Sequence, residues 1–233
     1  MSEEPPATER QPVYSEMALA DLVDAFSSTD PVPGGGSAAA LTGAVGASLL
    51  LMVAGIPKTK SGAPEETADL ADAAARIRPL RDSLLELVDR DSEAYSQVVT
   101  ALKLPKHSDG EVSQRKKAIE DATRGATEVP LDTMRACQQA LRGALTVAAN
   151  GNRSAASDVG VAIELLLAAL RGARMNVEIN LAGLRDTDYV ARIRTEASLL
   201  EDDAAADAAR ARLGVRGQGS GQASGTSDAG CCP

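Results

Sequence analysis

Between residues 65 and 102 the apolar residues recur on a heptad: Leu70, Ala73, Ile77, Leu80, Leu84 and Leu87, then Asp91, Ala94, Val98 and Ala101. Spacings of three and four kept up over that length describe one face of a helix and cannot describe a strand, whose period is two. The chain is therefore built around a long helix, predicted from about Glu65 to Leu102. One member of the seam is a carboxylate. An ionised Asp91 among apolar neighbours either shifts its pKa or finds a partner; alternatively, a slight rotation of the helix takes it to the surface, where it caps or pairs. Tyr95, one turn further on, is placed to bond or stack in the same pocket. Asp89 lies off the seam and is expected in solvent.

The rest of the chain is read against that helix. Aromatics are 2% of 233 residues, with one Phe and no Trp, so the faces of a sheet cannot be furnished. The expected fold is all-α, an antiparallel bundle of about six helices. Residues 1–12 are expected to be flexible, 13–215 to form one helical domain, and 216–233 to be a disordered Gly/Ser-rich tail. Ser15 is the expected cap of a first short helix, MALADLVDAF. A second runs from Ser37 to Ile56, and a fourth reaches Asn150 with Pro130 expected to kink or split it. A fifth spans Ser157 to about Leu184, and a sixth starts near Asp186 and ends by Val215. With 24 basic and 33 acidic residues the net charge is -9, which disfavours nucleic acid and anionic membrane as partners. The opening MSEEPPATERQP is unlike a signal peptide, and a cytoplasmic location is expected. One histidine, His107, read as an exposed loop residue, and three cysteines, Cys137, Cys231 and Cys232, supply neither a disulfide framework nor a metal site. No metal or cofactor is expected, and the thiols are read as free and inert.

The stretch PVPGGGSAAALTGAVGA, residues 31–47, has three readings. A helix preceded by glycines can hold anions on its free N–H groups, but there is no G-x-G-x-x-G after a strand and no Gly-Lys-Ser/Thr. The uncharged run to Ile56 is long enough to cross a bilayer, yet it is Gly/Ala-rich and weakly hydrophobic. Packing is favoured, because Gly36, Ala40, Gly43 and Ala47 fall on one face and admit another backbone.

Polar residues raise further candidates. On the fifth helix Glu164, Arg171, Arg174 and Glu178 gather on an expected solvent face, opposite Asp158, Ala162, Ala169, Ala173, Asn176 and Asn180. The polar members of that second face require partners, from another helix or from a ligand. Lys58 with Lys60 and Lys103 with Lys106 form basic pairs in two loops, solvated or receptive to a small anion.

Taken in order, PVPGGGSAAALTGAVGASLLLMV, D-S-E-A-Y, LPK, VPL, GNRSAASDVGVA and NVEINL resemble the cyclodeaminase/cyclohydrolase family of folate enzymes over roughly residues 15–200. The resemblance implies an all-helical homodimer that binds a tetrahydrofolate substrate in a cleft near the subunit interface. It also implies an aspartate on the long helix as catalytic acid/base, which corresponds to Asp91, with Asp89 as fallback. Its implied substrate-binding positions are Gly34, Gly35, Gly36, Ser37, Lys106, Asn150, Asn152, Asp158, Asn176 and Asn180. Lys58, Lys60 and Tyr95 join them, and the loop lysines would meet the carboxylates of the folate glutamate tail. The expected activity is conversion of 5-formiminotetrahydrofolate to 5,10-methenyltetrahydrofolate and ammonia. Hydrolysis of the methenyl compound to 10-formyltetrahydrofolate is the alternative, and a non-catalytic helical dimer the third reading. After the second helix this chain has AGIPKTKSGAPEE, which lacks the aromatic that many members carry there.

Overall fold

The computed structural model describes residues 12–219. A 3-10 turn at Tyr14–Glu16 precedes six α-helices: α1 (Leu19–Ser27), α2 (Gly35–Ala54), α3 (Pro64–Leu102), α4 (Asp109–Asn150), α5 (Ala156–Leu181) and α6 (Thr187–Gly219). A second 3-10 turn, Arg153–Ala155, joins α4 to α5, and the described residues contain no strand. Cys231 and Cys232 lie outside the described residues, as does nearly all of the expected tail.

The heptad seam of α3 faces the core. Leu70, Ala73, Ile77, Leu84 and Leu87 are buried, as are Ala94 and Ala101, while Leu80, Asp91 and Val98 are partly covered. The small face of α2 is buried as well, and its glycines set how closely the helices approach. A Cβ added at Gly43 would stand 2.8 Å from Cys137 Sγ and 3.1 Å from Leu84 Cδ2. One added at Gly46 would stand 2.9 Å from Leu166 Cγ and 3.1 Å from the Ala162 carbonyl oxygen. The 2.8 and 2.9 Å approaches are closer than real Cβ contacts and the two at 3.1 Å are tight, so α2 lies this near α4 and α5 because the side chains are missing. By length and composition α2 would pass for a membrane span, but half of it is buried inside this bundle.

Four expectations need correction. Ser15 does not cap α1, which begins behind Ala18 with no side-chain cap; its hydroxyl instead donates to the Asp89 carboxylate. That carboxylate is not merely solvated, since it also accepts from the Tyr14 N–H at 2.6 Å and ties the 3-10 turn to α3. The expected solvent face of α5 is exposed at Glu164 and Arg171 but is also laced to α6: Glu164 pairs with Arg212, Glu178 with Arg194, and Arg171 and Arg174 with Glu201, with Arg174 and Glu178 partly covered. Pro130 does not split α4, which continues from a Ser108/Glu111 capping box to Asn150.

Candidate active site

The N-terminus of α2 has no side-chain cap of its own, because Gly34 stands at the cap position. Its leading N–H groups therefore need partners from elsewhere. Asp91 of α3 supplies one: Oδ2 accepts from the Ser37 N–H at 2.8 Å and lies 3.1 Å from the Ser37 hydroxyl. Glycine is required beside it, since a Cβ at residue 36 would come within 2.0 Å of Asp91 Oδ1. The positive end of the α2 dipole faces the carboxylate and favours its charge. Burial acts the other way and dominates, raising the Asp91 pKa above the ordinary value of 3.8, while the two Ser37 hydrogen bonds pull it back.

The Ser37 hydroxyl is a switch point for this proton. It has one hydrogen and three neighbours: the Val88 carbonyl at 2.8 Å, Asp91 Oδ2, and Ser92 Oγ at 3.2 Å. The carbonyl can only accept. When Asp91 is ionised the hydroxyl can donate to it; when Asp91 is protonated the hydroxyl can turn to Val88 and accept from the acid. The group is thus built to hold or release one proton with its surroundings intact.

Asp91 opens into a cavity of about 340 Å³, whose wall also carries Gly34, Gly35, Gly36, Tyr95, Val98, Thr123, Ala126, Asn176 and Asn180. Pro31, Val32 and Ile179 complete it. Both asparagines have their amide NH₂ groups engaged: Asn176 Nδ2 donates to the Gly172 carbonyl at 3.0 Å and Asn180 Nδ2 to the Ala126 carbonyl at 2.8 Å. This fixes their orientation and leaves the side-chain oxygens as acceptors for N–H groups or for developing positive charge. The Asn180 bond has a cause in α4. In a helix the Ala126 carbonyl would accept from residue 130, which is proline and has no N–H. Asn180 fills the vacancy, which is why Pro130 is tolerated and why Asn180 is held at the cavity.

Of the residues proposed from sequence, Asp91, Gly34, Gly35, Gly36, Tyr95, Asn176 and Asn180 share this wall, with Ser37 directly behind Asp91. Others lie elsewhere in the chain. The Lys60 N–H donates to the Asn150 carbonyl at 3.0 Å, and Asn150 Nδ2 donates to Asp69 at 3.1 Å. Asp69 precedes Asp91 by 22 residues of α3, about 33 Å of helix. Asn152 caps the 3-10 turn by accepting from the Ser154 N–H at 2.8 Å, and Asp158 begins α5, as far from Asn180 as Asp69 is from Asp91. Lys58, Lys60, Asn150, Asn152 and Asp158 therefore belong to the opposite end of the bundle, and a single cleft within one chain does not hold them. Lys106 is exposed in the α3–α4 loop and does not line the Asp91 cavity. Sequence reading missed Thr123 and Ala126; the signal was present in Pro130, four residues after Ala126.

Cys137 is fully buried and its thiol is pushed up to about 12, so it has no thiolate at neutral pH. Among the described residues no three His, Cys, Asp or Glu side chains cluster to hold a metal ion.

The bundle has counterparts among folate enzymes. The crystal structure of formiminotetrahydrofolate cyclodeaminase from Thermotoga maritima superposes with a TM-score of 0.77 at 26% identity, covering 87% of this chain and 97% of that one. Methenyltetrahydrofolate cyclohydrolase of Methylorubrum extorquens is 39% identical over 168 residues, 72% of this chain and 81% of that enzyme. Formimidoyltransferase-cyclodeaminase of Gallus gallus is 31% identical over 171 residues, but this chain spans only 32% of its length. Residues 18–199 match the formiminotransferase-cyclodeaminase family, and the chain belongs to it.

Proposed function

We propose that the protein is a folate enzyme acting on the one-carbon unit at N5 and N10, with Asp91 as the acid/base and hydrolysis of 5,10-methenyltetrahydrofolate as its main reaction. The observation that carries the reading is a half-recessed carboxylate of raised pKa, flanked by acceptor oxygens that suit a cationic substrate. Ionised Asp91 takes a proton from water as the oxygen adds to the bridge carbon. It then returns that proton to N5 as the N5–C bond breaks. The new C–OH loses its own proton to solvent, leaving the formyl group on N10. The preference for hydrolysis reverses the order expected from sequence and rests on the cyclohydrolase relative, which this chain covers to 81%.

Cyclodeamination is the second reading, favoured by the likeness to the Thermotoga maritima enzyme. There N10 attacks the formimino carbon and its proton passes to the formimino nitrogen; protonated Asp91 then donates a second proton to that nitrogen, whose C–N bond breaks to release ammonia and leave the cationic methenyl bridge. Both are tested by following methenyl absorbance. Accelerated loss from the methenyl substrate supports hydrolysis, and appearance from the formimino substrate supports deamination. Rates equal to buffer with both would leave the non-catalytic dimer. Asp91→Asn should abolish turnover with helicity unchanged; full activity would remove Asp91 from the chemistry.

The functional unit in this proposal is a homodimer. α2 keeps Leu41, Val45, Leu49 and Met52 along an outer concavity, with Val45 and Met52 exposed. Two copies pairing antiparallel across α2 would bring the Lys58, Lys60, Asn150 and Asn152 end of one beside the Asp91 cavity of the other. That pairing reunites residues that one chain holds about 33 Å apart.

A further inference from the structure

Resting on the acid/base role of Asp91 above, we propose that Ser92 is a positioning residue for the reaction: its hydroxyl fixes the direction of the Ser37 hydroxyl and so sets how readily Asp91 gives up and takes its proton. Ser92 follows Asp91 on α3, but the two side chains part. The carboxylate reaches the cavity, while Ser92 is 1% exposed and turns in toward α2. Within D-S-E-A-Y it is the one buried polar residue, with Glu93 and Tyr95 exposed. Its hydroxyl has a single hydrogen-bond partner among the described residues, Ser37 Oγ at 3.2 Å. Ser37 is fully buried too, so water does not compete for either group.

A buried hydroxyl that makes no bond is costly, which decides where the hydrogens go. Were Ser37 to donate to Ser92, the Ser92 hydrogen would have no acceptor. With Ser92 donating to Ser37, every hydrogen is used: Ser37 passes its own to Asp91 Oδ2 when the acid is ionised, and to the Val88 carbonyl when it is protonated. Ser37 has lone pairs enough to accept from Ser92 in both states. Ser92 is therefore the fixed donor behind a turning one. Two O–H groups in line polarise each other, and the chain is strongest when it ends on a charge. Loss of the Ser92 hydroxyl weakens the ionised state more than the protonated one, and Asp91 then keeps its proton to higher pH. None of the other residues lining the cavity is charged. α2 carries no titratable residue, α4 brings Thr123 and Ala126, α5 brings Asn176, Ile179 and Asn180, and α3 adds Tyr95 on the cavity side. Asp89 is turned to the 3-10 turn, where it is bonded to the Tyr14 N–H and to Ser15.

The test titrates the Asp91 carboxyl directly, through its carbon-13 resonance in the full chain labelled at aspartate, with Asp91→Asn identifying the signal. In Ser92→Ala the midpoint should lie about half a unit to one unit above that of the wild-type protein. Hydrolysis uses ionised Asp91, so the low-pH limb of kcat/KM for methenyltetrahydrofolate should move to higher pH by the same amount. A role in packing alone would lower the melting temperature of Ser92→Ala and leave the midpoint where it was. That result overturns the inference, as does a midpoint that falls. A raised midpoint in a protein whose wild type turns over neither the methenyl nor the formimino substrate overturns the folate reading and supports the hold of Ser92 on the Asp91 proton.

Discussion

Asp91 binds its proton more tightly in the folded chain than in the unfolded one, because its pKa is raised from 3.8 by burial. Between 3.8 and the raised value the native state holds more protons than the unfolded state, so stability falls as pH rises through that window. Asp91→Asn removes this loss and keeps an acceptor for the Ser37 N–H. Its melting temperature relative to wild type should therefore be higher at pH 7 than at pH 3; an offset independent of pH would mean that Asp91 is not the raised group. The glycine beside it makes a second prediction. In Gly36→Ala the new Cβ, 2.0 Å from Asp91 Oδ1, must drive the carboxylate aside. The backbone gains helix propensity, so thermal stability should hold within about 1 kcal/mol. The reacting geometry does not survive, and kcat should fall by about a hundredfold.

At the scale of elements, Pro130 of α4 and Asn180 of α5 act as one unit. Asn180→Ala strands the Ala126 carbonyl and should cost about 1–3 kcal/mol in urea denaturation. Pro130→Ala restores the missing N–H, so in that background the same Asn180→Ala change should cost much less. A double-mutant cycle with no coupling would show that the two are independent. Here it becomes clear what the sequence could and could not convey. The α3 seam, the small face of α2 and the helix count follow from periodicity, and periodicity also exposed Asp91 as the anomaly on an apolar line. Periodicity assigns a face, however, without saying which element covers it. Hence Arg174 and Glu178 of α5 looked purely solvent-facing although α6 supplies their partners, and Asp89 looked idle although a turn 74 residues away is bonded to it. The Asn180 bond to the carbonyl that Pro130 leaves free crosses 54 residues, from Ala126 to Asn180, and only a tertiary structure connects them.

For the whole molecule, the candidate cleft divides between two ends of one bundle, and the proposed second copy is what rejoins it. Val45, 46% exposed at the middle of the outward α2 face, is the position to probe. Val45→Glu should leave the helicity intact, since the site faces outward. It should halve the mass measured by light scattering and reduce turnover by at least tenfold, as burying unpaired carboxylates across a two-fold contact is strongly disfavoured. A fully active monomer would show that one bundle suffices.

The bond between Asp91 and the first turn of α2 also bears on timing. A charged acceptor holds an N–H about twice as strongly as a neutral one, so the grip on that turn depends on whether Asp91 carries its proton. In the proposed cycle the proton arrives and leaves once per turnover. The glycine wall of the cavity is then slackened when Asp91 takes the proton and tightened again when it returns it, so the grip is loosest while the adduct between the two steps is held.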